Sequence, residues 1–123
     1  MKRILAVLAI LLGISLLATP ISTRQARAHV GERATVCGTV KGGRYLPSLR
    51  GEPTFLNLDG HYPHQAFTVV IWGEHRPQFD RPEQRLLGKR ICVSGTIGAY
   101  RGVPQIVVRT PSQITLAKEV HDG

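Results

Sequence analysis

Nothing in this 123-residue chain divides it. It has no long linker and no low-complexity tract, and its brief Gly-Thr echo is too short to be a repeat, so fibrous and multi-domain organisations are excluded. Cysteine is scarce. Cys37 and Cys92 are the only two, and neither has a second Cys or a His at zinc-ligand spacing, which argues against a structural zinc site. Acidic residues are few, 8 Asp+Glu against 16 Lys+Arg. Glu52 and Asp59 show no sign of a catalytic pair, and no Ser/His/Asp or Cys/His set stands out as a nucleophile. His61-x-x-His64 has no third ligand nearby in sequence and reads as a solvated loop. The expectation is a protein that is not an enzyme and that needs neither a metal nor a cofactor.

What is present begins with a leader. Met1-Lys2-Arg3 is basic, Ile4 to Leu17 is almost uninterruptedly apolar, and Ala26-Arg27-Ala28 offers small residues at cleavage spacing. That layout predicts a secretory signal peptide over residues 1–28, cut before His29, and hence an exported, periplasmic or extracellular protein. A retained anchor is the alternative, but the apolar run is short for a membrane span. No cysteine follows the run directly, which argues against lipid attachment. Cleavage removes Lys2, Arg3, Arg24 and Arg27, so the formal charge of +8 falls to +4 on the remaining residues. That remainder suffices for one compact domain, expected over 29–116, followed by a frayed polar tail at 117–123.

In an exported chain an even cysteine count points to a disulfide. Cys37 lies in Arg33-Ala-Thr-Val-Cys-Gly-Thr-Val40 and Cys92 in Lys89-Arg-Ile-Cys-Val-Ser-Gly-Thr-Ile97, both strand-like. If these strands are antiparallel neighbours, the sulfurs meet on one face; two buried thiols are the alternative.

The centre of the sequence is Pro53 to Gly73. Thr54–Leu58 and Ala66–Trp72 are short, β-branched and aromatic, and flank a connector with Asp59-Gly60 and Pro63. Alternation sets Leu56 and Leu58 against Phe55 and Asn57, and Phe67, Val69 and Ile71 against Thr68, Val70 and Trp72. The pair therefore has one apolar face and one mixed polar-aromatic face. Before it, Lys41–Gly51 holds three glycines and a proline and reads as a loop. After it, His75–Leu87 holds Pro77, Pro82 and Glu83-Gln-Arg-Leu-Leu87, which suggests one or two helical turns. Arg90–Ile97 and Gln105–Arg109 complete five strands, with a closing segment at Thr110–Leu116.

Three strands, a helical interlude and two more strands is the order of an all-β, five-stranded OB-fold barrel with a short helix between the third and fourth strands. An open β-sandwich is the runner-up. Gly38 and Gly95 fall inside strands where a small barrel bends. Across residues 30–116 the chain resembles the bacterial OB-fold nucleic-acid-binding domains found alone in exported proteins or attached to nucleases. The resemblance is carried by Val36-Cys-Gly-Thr-Val40, Pro53-Thr-Phe-Leu-Asn-Leu58, Tyr62-Pro63, Phe67–Trp72, Leu87-Gly-Lys-Arg-Ile91, Gly95-Thr-Ile97 and Tyr100–Val108. It implies binding, since the family's nuclease activity belongs to a separate domain.

OB-folds bind through the second and third strands and the loops beside them. The candidate nucleic-acid-binding residues are therefore Lys41, Arg44, Tyr45, Arg50, Phe55, Tyr100 and Arg101. Cations neutralise phosphates, and aromatic rings stack on unpaired bases. Each has a plainer reading, with Tyr45 or Phe55 packed on the barrel and the arginines solvated. Trp72 is expected in the core or at the rim, and Asn57 in turn or ladder hydrogen bonds. The leading expectation is a monomeric module that binds single-stranded DNA or RNA without strong sequence preference and is free of the membrane after cleavage. A small-ligand or oligosaccharide-binding module, or an envelope-stress protein-interaction module, stands as the alternative.

Overall fold

The computed structural model describes residues 19–117. Among the described residues seven strands form, β1 (Ile21–Ser22), β2 (Arg33–Tyr45), β3 (Thr54–Leu58), β4 (Phe67–Ile71), β5 (Arg90–Tyr100), β6 (Val103–Val107) and β7 (Ile114–Leu116). A short helix, α1 (Pro82–Arg85), lies between β4 and β5. Strands β2 to β6 make the barrel. Its ring runs β2–β3–β4–β6–β5 and closes by the pairing of β5 with β2. Within this ring every pairing is antiparallel except β4–β6, which is parallel. This is the OB-fold closure expected from the strand order.

The apolar alternation fills the interior. Val36, Val40, Leu56, Leu58, Phe67, Val69, Ile71, Ile91, Val93 and Ile106 are fully buried. Leu86, just after α1, joins the same cluster. Pro82 opens α1 at a position where its missing N–H is not needed.

Gly38 and Gly95 do sit inside strands, and what each supplies is space. A Cβ on Gly38 would come within 2.6 Å of the Thr23 methyl, and one on Gly95 within 2.7 Å of an Ile106 methyl. Cys37 and Cys92 are direct register partners on β2 and β5 and are bonded to each other. Val36 and Val93, one position away, point into the barrel. The sulfurs therefore lie on its outer face, flanked by β1 and β7.

One sequence expectation is corrected. Lys41–Gly51 is a loop only in its second half, because β2 runs on to Tyr45. A β-bulge between Val40 and Gly42 leaves Lys41 as the extra residue and swaps the two faces of the strand beyond it. Residues ahead of His29 also pack on the barrel. β1 pairs in parallel with β2, and Thr23 and Ala26 are buried. The Thr23 hydroxyl donates to Asp59 at 2.6 Å, and the other Asp59 oxygen accepts from the Thr39 amide at 2.9 Å. Ala26, the first small residue of the expected cleavage site, is a core residue, so a cut before His29 would remove part of the core. The apolar leader run to Leu17 and tail residues 118–123 lie outside the described residues. Among the described residues no helix is long and apolar enough to cross a membrane.

Candidate functional site

On the outer face of β3, β4 and β6 the barrel carries an open groove of about 500 Å³. Its position follows from strand alternation. Leu56, Leu58, Val69 and Ile106 face the core, so Phe55, Asn57, Thr68 and Gln105 face out. Loops raise its walls. Leu46 and Leu49 stand on one side, and Tyr62, Pro63 and Gln65 come from the β3–β4 connector. The β5–β6 tip contributes Tyr100, Arg101 and Val103.

Four of the seven candidate residues meet there: Arg44, Phe55, Tyr100 and Arg101. Arg44 pairs with Phe55 across β2 and β3, so the cation and the ring are neighbours on one face. Tyr100 is 62% exposed, and the Arg101 guanidinium carbon lies 5.3 Å from its ring centre. Arg101 takes a positive φ of 50° at the tip, and Gly102 follows at 81°. That tight turn lifts both side chains off the barrel.

Three candidates fall elsewhere. Tyr45 is placed on the opposite face, because consecutive strand residues alternate and the bulge at Lys41 turns Arg44 toward the groove and Tyr45 away from it. Its register partner is Thr54, fully buried, and its ring is covered by Arg76 at 3.7 Å. Arg76 also donates to the Thr54 hydroxyl at 2.7 Å and to both Glu83 oxygens at 2.9 and 3.1 Å. Burial alone would raise the Glu83 pKa. The hydrogen bonds and charge of Arg76, with help from the backbone and Arg81, outweigh burial and hold it below the ordinary carboxylate value. Tyr45 thus belongs to a clamp that fastens α1 to the barrel. Lys41, the bulged residue, and Arg50, in the β2–β3 loop, are exposed and line no part of the groove. Trp72 is at the rim, as expected, with its ring so near Gly51 that a Cβ there would come within 3.0 Å.

Sequence reasoning passed over Asn57, Tyr62, Gln65, Thr68 and Gln105 as groove residues. The period-two pattern had already put Asn57 on the face of Phe55, which was the signal available. Asn57 takes a place in the ladder, as register partner of Gly42 and Thr68. Its side chain opens to the groove, while Gln65 donates to the Thr68 hydroxyl at 3.1 Å. His61 and His64 are exposed on the β3–β4 connector, and no cluster of metal-ligating side chains occurs among the described residues.

No protein-family model and no curated protein sequence matches this chain. Solved structures do. One is the crystal structure of a Leishmania major Friedlin protein described as an aspartyl-tRNA synthetase, which matches with a TM-score of 0.57 at 14% identity. The match covers 83% of this chain and 21% of that one, so the present chain spans about a fifth of that protein's length. At this identity the likeness carries the fold, a small OB barrel.

Proposed function

We propose that this chain is an exported binding module, without catalytic activity, whose ligand is single-stranded nucleic acid. The observation that carries this reading is the groove itself. It brings Phe55, Tyr62 and Tyr100 together with Arg44 and Arg101 on the face that OB-folds use. Stacked rings and a few cations are what a single strand requires, since unpaired bases expose their faces and phosphates need neutralising. The fold match to a protein named for a tRNA substrate agrees with a nucleic-acid ligand. A Cys37–Cys92 disulfide suits an oxidising, extracytoplasmic compartment.

Groove charge sets the quantitative expectation. With two cations lining it, rather than the four expected from the sequence, log K against log salt should slope near −1.4, about −0.7 per phosphate contact. Titration of the protein with labelled single-stranded DNA and RNA, at low and physiological salt, checks this. Saturable binding with that modest slope supports the reading. Absence of binding at low salt removes nucleic acid as the ligand and leaves a neutral small molecule or oligosaccharide for this largely apolar groove.

A further inference from the structure

The floor of the groove is polar in an ordered way. Gly42, Asn57, Thr68, Gln105 and Gly98 are successive register partners across β2, β3, β4, β6 and β5. They form one row running across the strands, with side chains directed away from the core. Glycines close both ends of the row. A Cβ at Gly98 would meet nothing within 4 Å, and one at Gly42 would meet only the Asn57 amide nitrogen, at 3.8 Å. The three central side chains therefore stand in an open slot, about one strand spacing apart.

Their hydrogen bonding is incomplete. Asn57 and Thr68 are each only 7% exposed. Thr68 accepts from Gln65, whose own side-chain oxygen is buried with no partner. The amides of Asn57 and Gln105 take no protein partner among the described residues, although both line the groove. Among the described residues the one buried side-chain polar atom without a partner is that Gln65 oxygen, beside the row, and buried polar groups are normally paired. The Asn57 and Gln105 amides face the open groove with no protein group to compete for them, so a ligand seated there can take their hydrogen bonds.

We propose that this row reads the hydrogen-bonding edge of one nucleobase, so that the groove discriminates among bases. The proposal rests on the single-strand reading above and departs from the expectation of sequence-independent binding. An amide offers a donor and an acceptor side by side, the pattern that base edges present. Stacking on Phe55 or Tyr62 tolerates any base, and contacts from Arg44 and Arg101 to phosphate position the strand without choosing its sequence. Choice falls to the row, because a mismatched base leaves a buried amide unpaired.

The test is the affinity of the intact protein for eight-residue oligo-dA, oligo-dC and oligo-dT at one salt concentration, repeated with Gln105→Ala and Asn57→Ala. The best and worst oligomers should differ at least about tenfold, the discrimination expected of a well-matched amide–base pair. Gln105→Ala should shrink that spread to about twofold, mainly by weakening the best ligand. Gln105 is only partly buried, so this variant decides the matter if Asn57→Ala fails to fold, as a thermal melt would show. Equal affinities for all three would overturn base reading and leave the single-strand function standing. A spread that survives both substitutions comes from stacking and overturns it as well. No binding to any oligomer removes the single-strand reading itself.

Discussion

Tyr45 and Tyr100 each stand beside an arginine in a glycine-rich stretch, and the fold gives them opposite roles. Tyr100 projects from the β5–β6 tip into the groove, whereas Tyr45 lies under Arg76 on the other face. The difference is one residue of phase, introduced by the bulge at Lys41. A bulge has no reliable sequence mark. Lys41-Gly-Gly looks the same in a loop as in a strand that changes face, so the sequence offered Arg44 and Tyr45 alike and could not tell which of them faces the groove. Two variants separate the roles. Tyr100→Ala should weaken single-strand binding by roughly 1–3 kcal/mol with its salt slope and melting temperature nearly unchanged. Tyr45→Ala should lower the melting temperature and leave the affinity of the folded fraction intact. Affinity and melting curves on both proteins check the pair. If Tyr100→Ala destabilises the fold without weakening binding, the ring pins the turn and does not stack.

At the scale of elements, the barrel strands and α1 were legible because their signals are local: alternation, β-branching, and proline before a short helical run. The N-terminal strap, residues 21–29, was hidden for an equally physical reason. Small residues at cleavage spacing and small residues packed into a core read alike, and Ala26 is one of the latter. Thr23 gives Asp59 one of its two hydrogen bonds, and Gly38 leaves room for both side chains. A chain starting at His29 should therefore melt well below one starting at Thr19. Thr23→Val should recover only part of that loss, because it keeps the shape and strands the carboxylate. Equal melting temperatures for the two chains would show the strap to be dispensable. The α1 clamp carries a pH signature. The Glu83 pKa is lowered in the folded state, so the native protein binds fewer protons there than the unfolded chain does. The resulting stability is fully present above the ordinary carboxylate value of 4.5 and is lost as pH falls through the lower folded value. Glu83→Gln should cost on the order of 1–3 kcal/mol at neutral pH and flatten the acid limb of the stability profile. Urea melts between neutral pH and the acid limit measure both effects, and an acid limb as steep in the variant as in the parent would assign it to other carboxylates.

For the whole molecule, the pairing of β5 with β2 closes the ring, and the disulfide sits on that pairing. Hydrogen bonds already hold the two strands together in the native state. The covalent link therefore acts mainly on the unfolded chain, where it joins residues 55 positions apart. The chain-entropy model values such a loop at about 4 kcal/mol, an upper figure because denatured chains keep some structure. For a domain of this size each kcal/mol moves the midpoint by roughly 4–8 °C, so reduction should lower the melting temperature by about 10 °C or more. The groove lies chiefly on β3, β4 and β6, away from the cysteines, so below the new midpoint the reduced protein should bind its ligand with unchanged affinity. The experiment pairs thermal melts with single-strand titrations on oxidised protein, on protein whose two thiols are shown free by mass, and on Cys37→Ala/Cys92→Ala. A drop in stability at constant affinity assigns the disulfide to the barrel alone. An unchanged melting temperature would mean that pairing of β2 with β5 confines the unfolded chain as well as the covalent bond does, and an affinity that falls with reduction would tie the disulfide to the groove.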